Sequence, residues 1–214
     1  MVDTPVQQIA SLRERKKART RLVLIDEAID LCLRHGYENT TIEQISEAAD
    51  ISPRTFNRYF ASKDAVFIAV LDDLANEIVA ELVAHPSALG PLEELRAAHM
   101  AVLSRVAQRP LGGLTAERIV LSLRVVYSSQ ALRQAAIEYR SEPAMETLAN
   151  HMGVPVGDKR LELAVALFAT TIVSACTDMV TGAPDAPLGP TGVMERLEET
   201  LGDVAHFAAA LQLP

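Results

Sequence analysis

The segment "TTIEQISEAADISPRTFNRYFASKD", residues 40–64, limits the possible folds more than any other stretch of the chain. It opens with two overlapping capping boxes, Thr40 with Glu43 and Thr41 with Gln44, either of which satisfies the first N–H groups of a helix. Ile42, Ile45 and Ala49 then give a short apolar face over about 41–48. Asp50 and Ile51 make a tight turn. Ser52 stands as the next N-cap, and Pro53 takes the first helical position, where its missing N–H costs nothing. The pattern predicts a second short helix over 53–60. Ser62 caps a third that runs to about Ala84 and stops at "HPSALGP". Ahead of them, Leu22, Ile25, Ile29 and Cys32/Leu33 mark one face of a helix from about 19 to 35, closed by Gly36. Short helix, tight turn, short helix, with a third helix before it, is the layout of a helix-turn-helix unit.

The rest of the chain keeps the same helical period. Further helices are expected near 92–108, 115–127, 129–140, 143–152, 158–181 and 191–211, with Pro and Gly between them, and alternating strand patterns are absent. The expected fold is all-α: an N-terminal three-helix domain over 1–63 joined to a larger helical domain over 64–214. A chain that is 49% hydrophobic and 22% charged has the material for a packed core.

Several classes of function lack support. Cys32 and Cys176 both sit in apolar runs and read as buried thiols of a reducing compartment. His99, His151 and His206 are widely separated, with no metal-ligand spacing, so no metal or cofactor is expected. No nucleophile elbow, P-loop or dinucleotide fingerprint occurs, and no catalytic residue is expected. No secretory signal is evident, and the apolar run "LAVALFATTIVSAC" is shorter than the ~20 residues of a membrane span. The chain reads as cytoplasmic, with no membrane partner.

Charge is unevenly spread. The net charge is −8, yet residues 1–63 carry ten Lys+Arg against nine Asp+Glu, and six of those bases lie in "RERKKARTR", 13–21. Three of the chain's few aromatics share residues 54–63 with three more bases. Phe56 and Phe60, four apart, would pin the 53–60 helix to Ile25, Ile29, Ile45 and Ile51. The opposite face then carries Arg54, Thr55, Asn57 and Arg58. Arg can pair with two acceptors on guanine, Asn with adenine, and a Thr methyl with a thymine methyl. Tyr59 and Lys63 fall where phosphates would lie, and Thr41 offers a hydroxyl at a helix start. The expected partner is double-stranded DNA. The basic tail either extends the first helix or reaches a minor groove as an arm.

Residues 36–67, "GYENTTIEQISEAADISPRTFNRYFASKDAVF", closely resemble the TetR (tetracycline-repressor-like) family of bacterial transcriptional regulators, in detail over 19–67 and only in architecture beyond. The resemblance implies a homodimer on a near-palindromic operator and a C-terminal domain that often binds a small ligand. Its DNA-contacting positions fall on Thr41, Arg54, Thr55, Asn57, Arg58, Tyr59 and Lys63. The chain departs from the family's habit at Asp50, where Gly is usual, and at Asn57 and Arg58, where aromatics are common. The first departure should leave the turn intact, because Asp tolerates left-handed geometry.

In the body, an adaptable, mainly apolar effector pocket has as candidate walls Met100, Leu103, Leu121, Tyr127, Tyr139, Met145, Phe168, Thr171 and Ile172. The helix near 158–181 is apolar around its axis, and 193–211 carries one apolar stripe. A second copy of the chain would cover both in a four-helix interface through Leu161, Val165, Val173, Val193, Leu197, Leu201 and Val204. Asp178, inside the apolar helix, would meet a ligand, Arg124 or the partner chain. The expected function is a ligand-released repressor in which the ligand tilts the helix over 64–84 and changes the separation of the two heads. A ligand-responsive activator, or a ligand- or partner-binding protein with a vestigial head, are the alternatives.

Overall fold

The computed structural model describes residues 5–85, 90–181 and 189–210, with side chains placed from 12 to 177 within those ranges and from 189 to 210. Among the described residues ten helices follow one another: α1 Pro5–His35, α2 Ile42–Ala48, α3 Pro53–Phe56, α4 Lys63–Ala84, α5 Pro91–Gln108, α6 Ala116–Ser128, α7 Gln130–Glu138, α8 Glu142–Met152, α9 Lys159–Thr181 and α10 Pro190–Ala210. Among the described residues no strand occurs; the one isolated bridge, Leu111 to Leu114, closes a turn. The chain is all-α. It divides into two compact units, residues 1–67 and 68–214, so the division falls inside α4, four residues beyond the 63/64 boundary expected from the sequence.

Local chemistry sets the helix ends. Gly36 ends α1 at φ 85°, its N–H returning to the Cys32 carbonyl at 2.9 Å. Only a residue without a Cβ takes that left-handed conformation without strain. Asp50 is the single non-glycine with positive φ (53°) among the described residues, as the Gly-to-Asp departure requires. The N–H groups of Asp50 and Ile51 reach Glu47 O and Ser46 O, which closes the turn.

In the first unit the core is drawn from all three helices of the motif and the start of α4. Leu24, Ile25, Ala28, Ile29 and Cys32 of α1 are buried with Ile45 of α2, Phe56 of α3, Phe60, and Val66 and Phe67 of α4. In the second unit α9 packs on α5, α6, α7, α8 and α10. One face of it, Leu161, Ala164, Phe168, Thr171, Ala175 and Cys176, is buried at helical spacing. Beside that stripe Leu163 is left 68% and Leu167 36% exposed.

Two expectations change with this packing. By length and composition α9 is long and apolar enough to cross a membrane, over Lys159–Thr177, and so exceeds the shorter run expected. One stripe of it, however, is buried against the other helices of the second unit. The proposed interface set also divides. Leu161, Val193 and Leu197 are 0%, 6% and 1% exposed within one chain and belong to its own core. They cannot also face a second copy. Val165, Val173, Leu201 and Val204 keep partial exposure, and Phe207, further along the α10 stripe, is 66% exposed. The side chain of Asp178 lies outside the described residues.

Two polar side chains shape the second unit. Glu94, 4% exposed, takes His151 Nδ1 at 3.2 Å. His99 keeps some accessible surface, but its imidazole lies against the Phe168 ring with centroids 4.7 Å apart and its Nδ1 donates to Leu95 O at 2.7 Å. Burial lowers the His99 pKa to about 4, outweighing the opposite pull of the Leu95 carbonyl.

Leu161→Ala is expected to lower unfolding stability by about 2–5 kcal/mol, as for a core leucine. The loss should be the same at every protein concentration in urea unfolding. As pH falls from His99's ordinary 6.5, the unfolded chain takes up a proton that the folded chain refuses until about 4. Stability therefore drops across that window and levels off below it. Melting temperatures of the parent and His99→Phe from pH 7 to 4 should show a shallower decline in the variant.

Candidate nucleic-acid interface

The first unit carries the candidate interface, and its geometry starts from two caps. Thr41 Oγ1 accepts the Gln44 N–H at 3.2 Å while Gln44 Oε1 accepts the Thr41 N–H at 2.9 Å, so the second of the two possible capping boxes is the one that forms. Thr40 is excluded from capping because it is buried at 2% exposure and its hydroxyl donates to Gly36 O at 3.0 Å. Thr41 stays exposed at the helix start and keeps its own O–H to donate.

Ser52 caps α3 through Oγ, which accepts the Thr55 N–H at 3.2 Å, with Pro53 at the first position. The helix is one turn shorter than the sequence suggests. After Phe56 the chain tightens: Arg58 N–H reaches Thr55 O at 3.1 Å and Tyr59 N–H reaches Phe56 O at 2.8 Å. These i→i+3 bonds are of the 3₁₀ kind, which commonly finishes a helix. Residues 57–59 are therefore a helical turn continuing α3, and Phe60 N–H closes it on Phe56 O at 3.0 Å.

Within this short element the residues separate by face. Phe56 is fully buried and Phe60 is 4% exposed, their ring centroids 5.7 Å apart. Arg54, Asn57 and Arg58 are exposed, and Thr55 and Tyr59 are partly so. Thr55 Oγ1 sits 3.0 Å from Ser52 Oγ, which ties that hydroxyl to the cap. Two cations, an amide and two hydroxyl groups thus share the outer side of an element whose inner side is apolar. That set suits base edges and phosphates.

Lys63 is placed differently from the expected phosphate contact. Its ammonium donates to Tyr37 O at 2.5 Å and Thr40 O at 2.8 Å, and lies 3.9 Å from the centre of the Tyr37 ring. The Tyr37 hydroxyl in turn donates to the Asp64 carboxylate. Burial first, and the Asp64 carboxylate second, push the Tyr37 pKa up, so the phenol stays protonated. Tyr37 also meets Phe67 edge-on at 6.0 Å. The lysine clamps the α1–α2 turn to the start of α4 and so fixes Thr41 in place. Sequence reading missed Tyr37, Thr40 and Asp64 in this role. Tyr37 and Thr40 lie more than twenty residues from Lys63 and Asp64 along the chain, so no local pattern could have pointed to the contact.

The pocket candidates of the second unit fall into two groups. Leu103, Tyr127, Met145, Phe168 and Thr171 are buried; Met100, Leu121, Tyr139 and Ile172 are partly exposed. Those on α5, α6 and α8 belong to helices that pack against α9, which carries Phe168, Thr171 and Ile172. Several of their polar atoms already have partners in the chain: Tyr127 OH donates to Val173 O at 2.6 Å, Tyr139 OH to Asp72 at 2.5 Å and Thr171 Oγ1 to Leu167 O at 2.8 Å. Burial holds the Cys176 thiol up at about 11. Among the described residues no group of three His, Cys, Asp or Glu is placed to hold a metal ion.

Lys63→Ala is expected to lower the stability of the first unit by about 2 kcal/mol, since hydrogen bonds from a charged donor are worth about 1.5–3 kcal/mol. Urea unfolding followed by tyrosine fluorescence would measure it. The salt dependence of DNA binding should stay close to the parent's, because the ammonium is already engaged.

Residues 24–70 match the model of the family described as bacterial regulatory proteins, tetR family. The HTH-type transcriptional regulator TcmR of Streptomyces glaucescens is 40% identical over 121 residues, 56% of this chain and 54% of that protein. The HTH-type transcriptional regulator RutR of Escherichia coli is 31% identical over 84 residues, 39% of this chain and 40% of that protein. The chain spans about half the length, or less, of these curated relatives. Among solved structures, SmeT, the repressor of the Stenotrophomonas maltophilia multidrug efflux pump SmeDEF, is similar over 86% of this chain and 89% of its own, at 20% identity and a TM-score of 0.49. Over residues 24–70, the helix-turn-helix segment, the chain is similar to the tetR family of bacterial regulatory proteins.

Proposed function

We propose that the protein is a cytoplasmic, sequence-specific DNA-binding regulator of transcription, a repressor with no catalytic activity. The observation that carries this reading is the exposed set Arg54, Asn57 and Arg58, held outward by the buried Phe56 within the family-matched segment. Arg54 and Arg58 read guanine and Asn57 reads adenine, while Thr55 and Tyr59 contact thymine methyl groups or phosphates. Thr41 holds a phosphate from the start of α2. The head, 1–63 by the sequence boundary, docks on DNA, and the body, 64–214, pairs two copies and senses an effector.

Two heads on a near-palindrome lie about 34 Å apart, one helical turn of DNA. The pairing surface is the outer side of α9, with Leu163, Val165, Leu167 and Val173, together with the second half of α10, with Leu201, Val204 and Phe207. Leu163 and Phe207, at 68% and 66% exposure, are large apolar side chains that a second copy would cover. The effector is a small, mainly apolar molecule that binds among the side chains lining α5, α6, α8 and α9. It must bind one state of the protein better than the other to release DNA.

Selection from a randomised duplex pool should yield a near-palindromic site. Arg54→Ala should then weaken that site by about 1–3 kcal/mol and relax the preference at one base position in each half. A parent protein with no sequence preference at moderate salt would overturn the reading. Phe207→Glu should shift the protein toward monomer in sedimentation velocity and lower operator affinity, with helical content unchanged.

A further inference from the structure

We propose that the first helix is itself part of the DNA interface: Arg13, Lys16 and Lys17 of α1 form, with Arg58 and Tyr59, a cleft that grips the phosphate backbone of duplex DNA. The proposal rests on the DNA-binding reading above and names a contact surface beyond the recognition turn. The helix extends back to Pro5, so "RERKKARTR" is helical and not a loose arm. At 3.6 residues per turn, positions 13, 16, 17 and 20 lie on one side of the helix, and Arg15 and Arg19 on the other. Arg21 is turned to the core side, its guanidinium 6.0 Å from the Phe60 ring. Arg13, Lys16, Lys17 and Thr20 line one open cleft of about 440 Å³ with Arg58 and Tyr59. Four cations and a phenol meet there with no carboxylate among the lining residues. Thr20 contributes shape, since its hydroxyl donates to Lys16 O at 3.0 Å.

The dimensions select the kind of contact. A helix with its side chains is about 10–12 Å across, and the minor groove is about 6 Å wide, so this segment cannot enter that groove as an extended arm would. It must lie alongside a backbone. Seven residues at about 1.5 Å rise cover about 10 Å, or about three nucleotide steps at 3.4 Å each. Because Arg58 and Tyr59 belong both to this cleft and to the end of the recognition turn, the strand it grips is the one bordering the major groove that α3 enters. Arg13, Lys16 and Lys17 add affinity and fix the register without reading sequence, while Arg58, at the cleft's edge, reaches toward the bases.

The test compares two double variants of the full chain that remove equal charge from opposite sides of α1. Each neutralised phosphate contributes about 0.9 to the slope of log K against log salt. For Lys16→Ala/Lys17→Ala the slope should flatten by about 1.8 units on both selected and random duplexes, with the ratio between them kept. For Arg15→Ala/Arg19→Ala the slope should change by less than about half a unit. Lys16→Arg/Lys17→Arg should restore the parent slope. Circular dichroism confirms equal helix content. Equal flattening by the two alanine pairs would show a general charge effect and overturn the cleft, as would no flattening by either. Absence of sequence preference in the parent would overturn the regulator reading alone, because the slope on random duplex still tests the cleft.

Discussion

Burial of Phe56 is the contact on which the candidate interface depends. The helix that carries it is four residues long, and a single turn fixes several backbone dihedrals for very few hydrogen bonds. Isolated, it would not persist. With Phe56 fully buried beside Phe60, and Ile25, Ile29 and Ile45 buried in the same unit, the turn gains tertiary support that local propensity cannot give. The outward direction of Arg54, Asn57 and Arg58 then follows from geometry, because side chains opposite a buried ring on a helical turn must face solvent. Any weakening of that aromatic anchor would disperse the reading residues before it changed their chemistry.

A second fixed point lies at the other end of the motif. Lys63 joins two backbone carbonyls of the α1–α2 turn, and the Tyr37 ring and hydroxyl join the same corner to Asp64. A lysine inside a DNA-binding motif is naturally taken for a phosphate contact, and the charge alone cannot distinguish the two uses. The distances do. An ammonium with two short carbonyl contacts and an aromatic face beneath it has lost much of its freedom to reach a ligand. Exposed cations of this unit lie on Arg54 and Arg58 and on Arg13, Lys16 and Lys17 of α1. In a chain of net charge −8, these cations locally offset the repulsion that a polyanion would otherwise meet.

Much of the fold was legible in advance. The ends of α2, α4, α5, α6, α8, α9 and α10 fall within a residue or two of the positions expected from caps, prolines and glycines, because those signals act over three or four residues. The helix expected over 53–60 stops at Phe56 because 3₁₀-type bonds take over, a difference of bonding pattern that side-chain spacing does not encode. The first helix begins at Pro5 and not near 19: charged residues support a helix there without supplying the apolar period by which helices are found. The apolar stripe of α10 was visible, but not that Val193 and Leu197 lie inside the chain's own core while Phe207 is left outside.

The sequence alone therefore determined the helix-turn-helix with its caps, the left-handed turn at Asp50, and the residue types on the outer face of 53–60. All of these are set by neighbours within about one helical turn. Only the tertiary structure decided where Lys63 spends its charge, which of Thr40 and Thr41 caps α2, which side of α9 its own chain covers, and which bases of α1 share a cleft with Arg58. The Lys63 contact, the covered side of α9 and the cleft beside Arg58 depend on partners distant in the chain, and the Thr40/Thr41 choice on which hydroxyl packing buries; a linear pattern records neither.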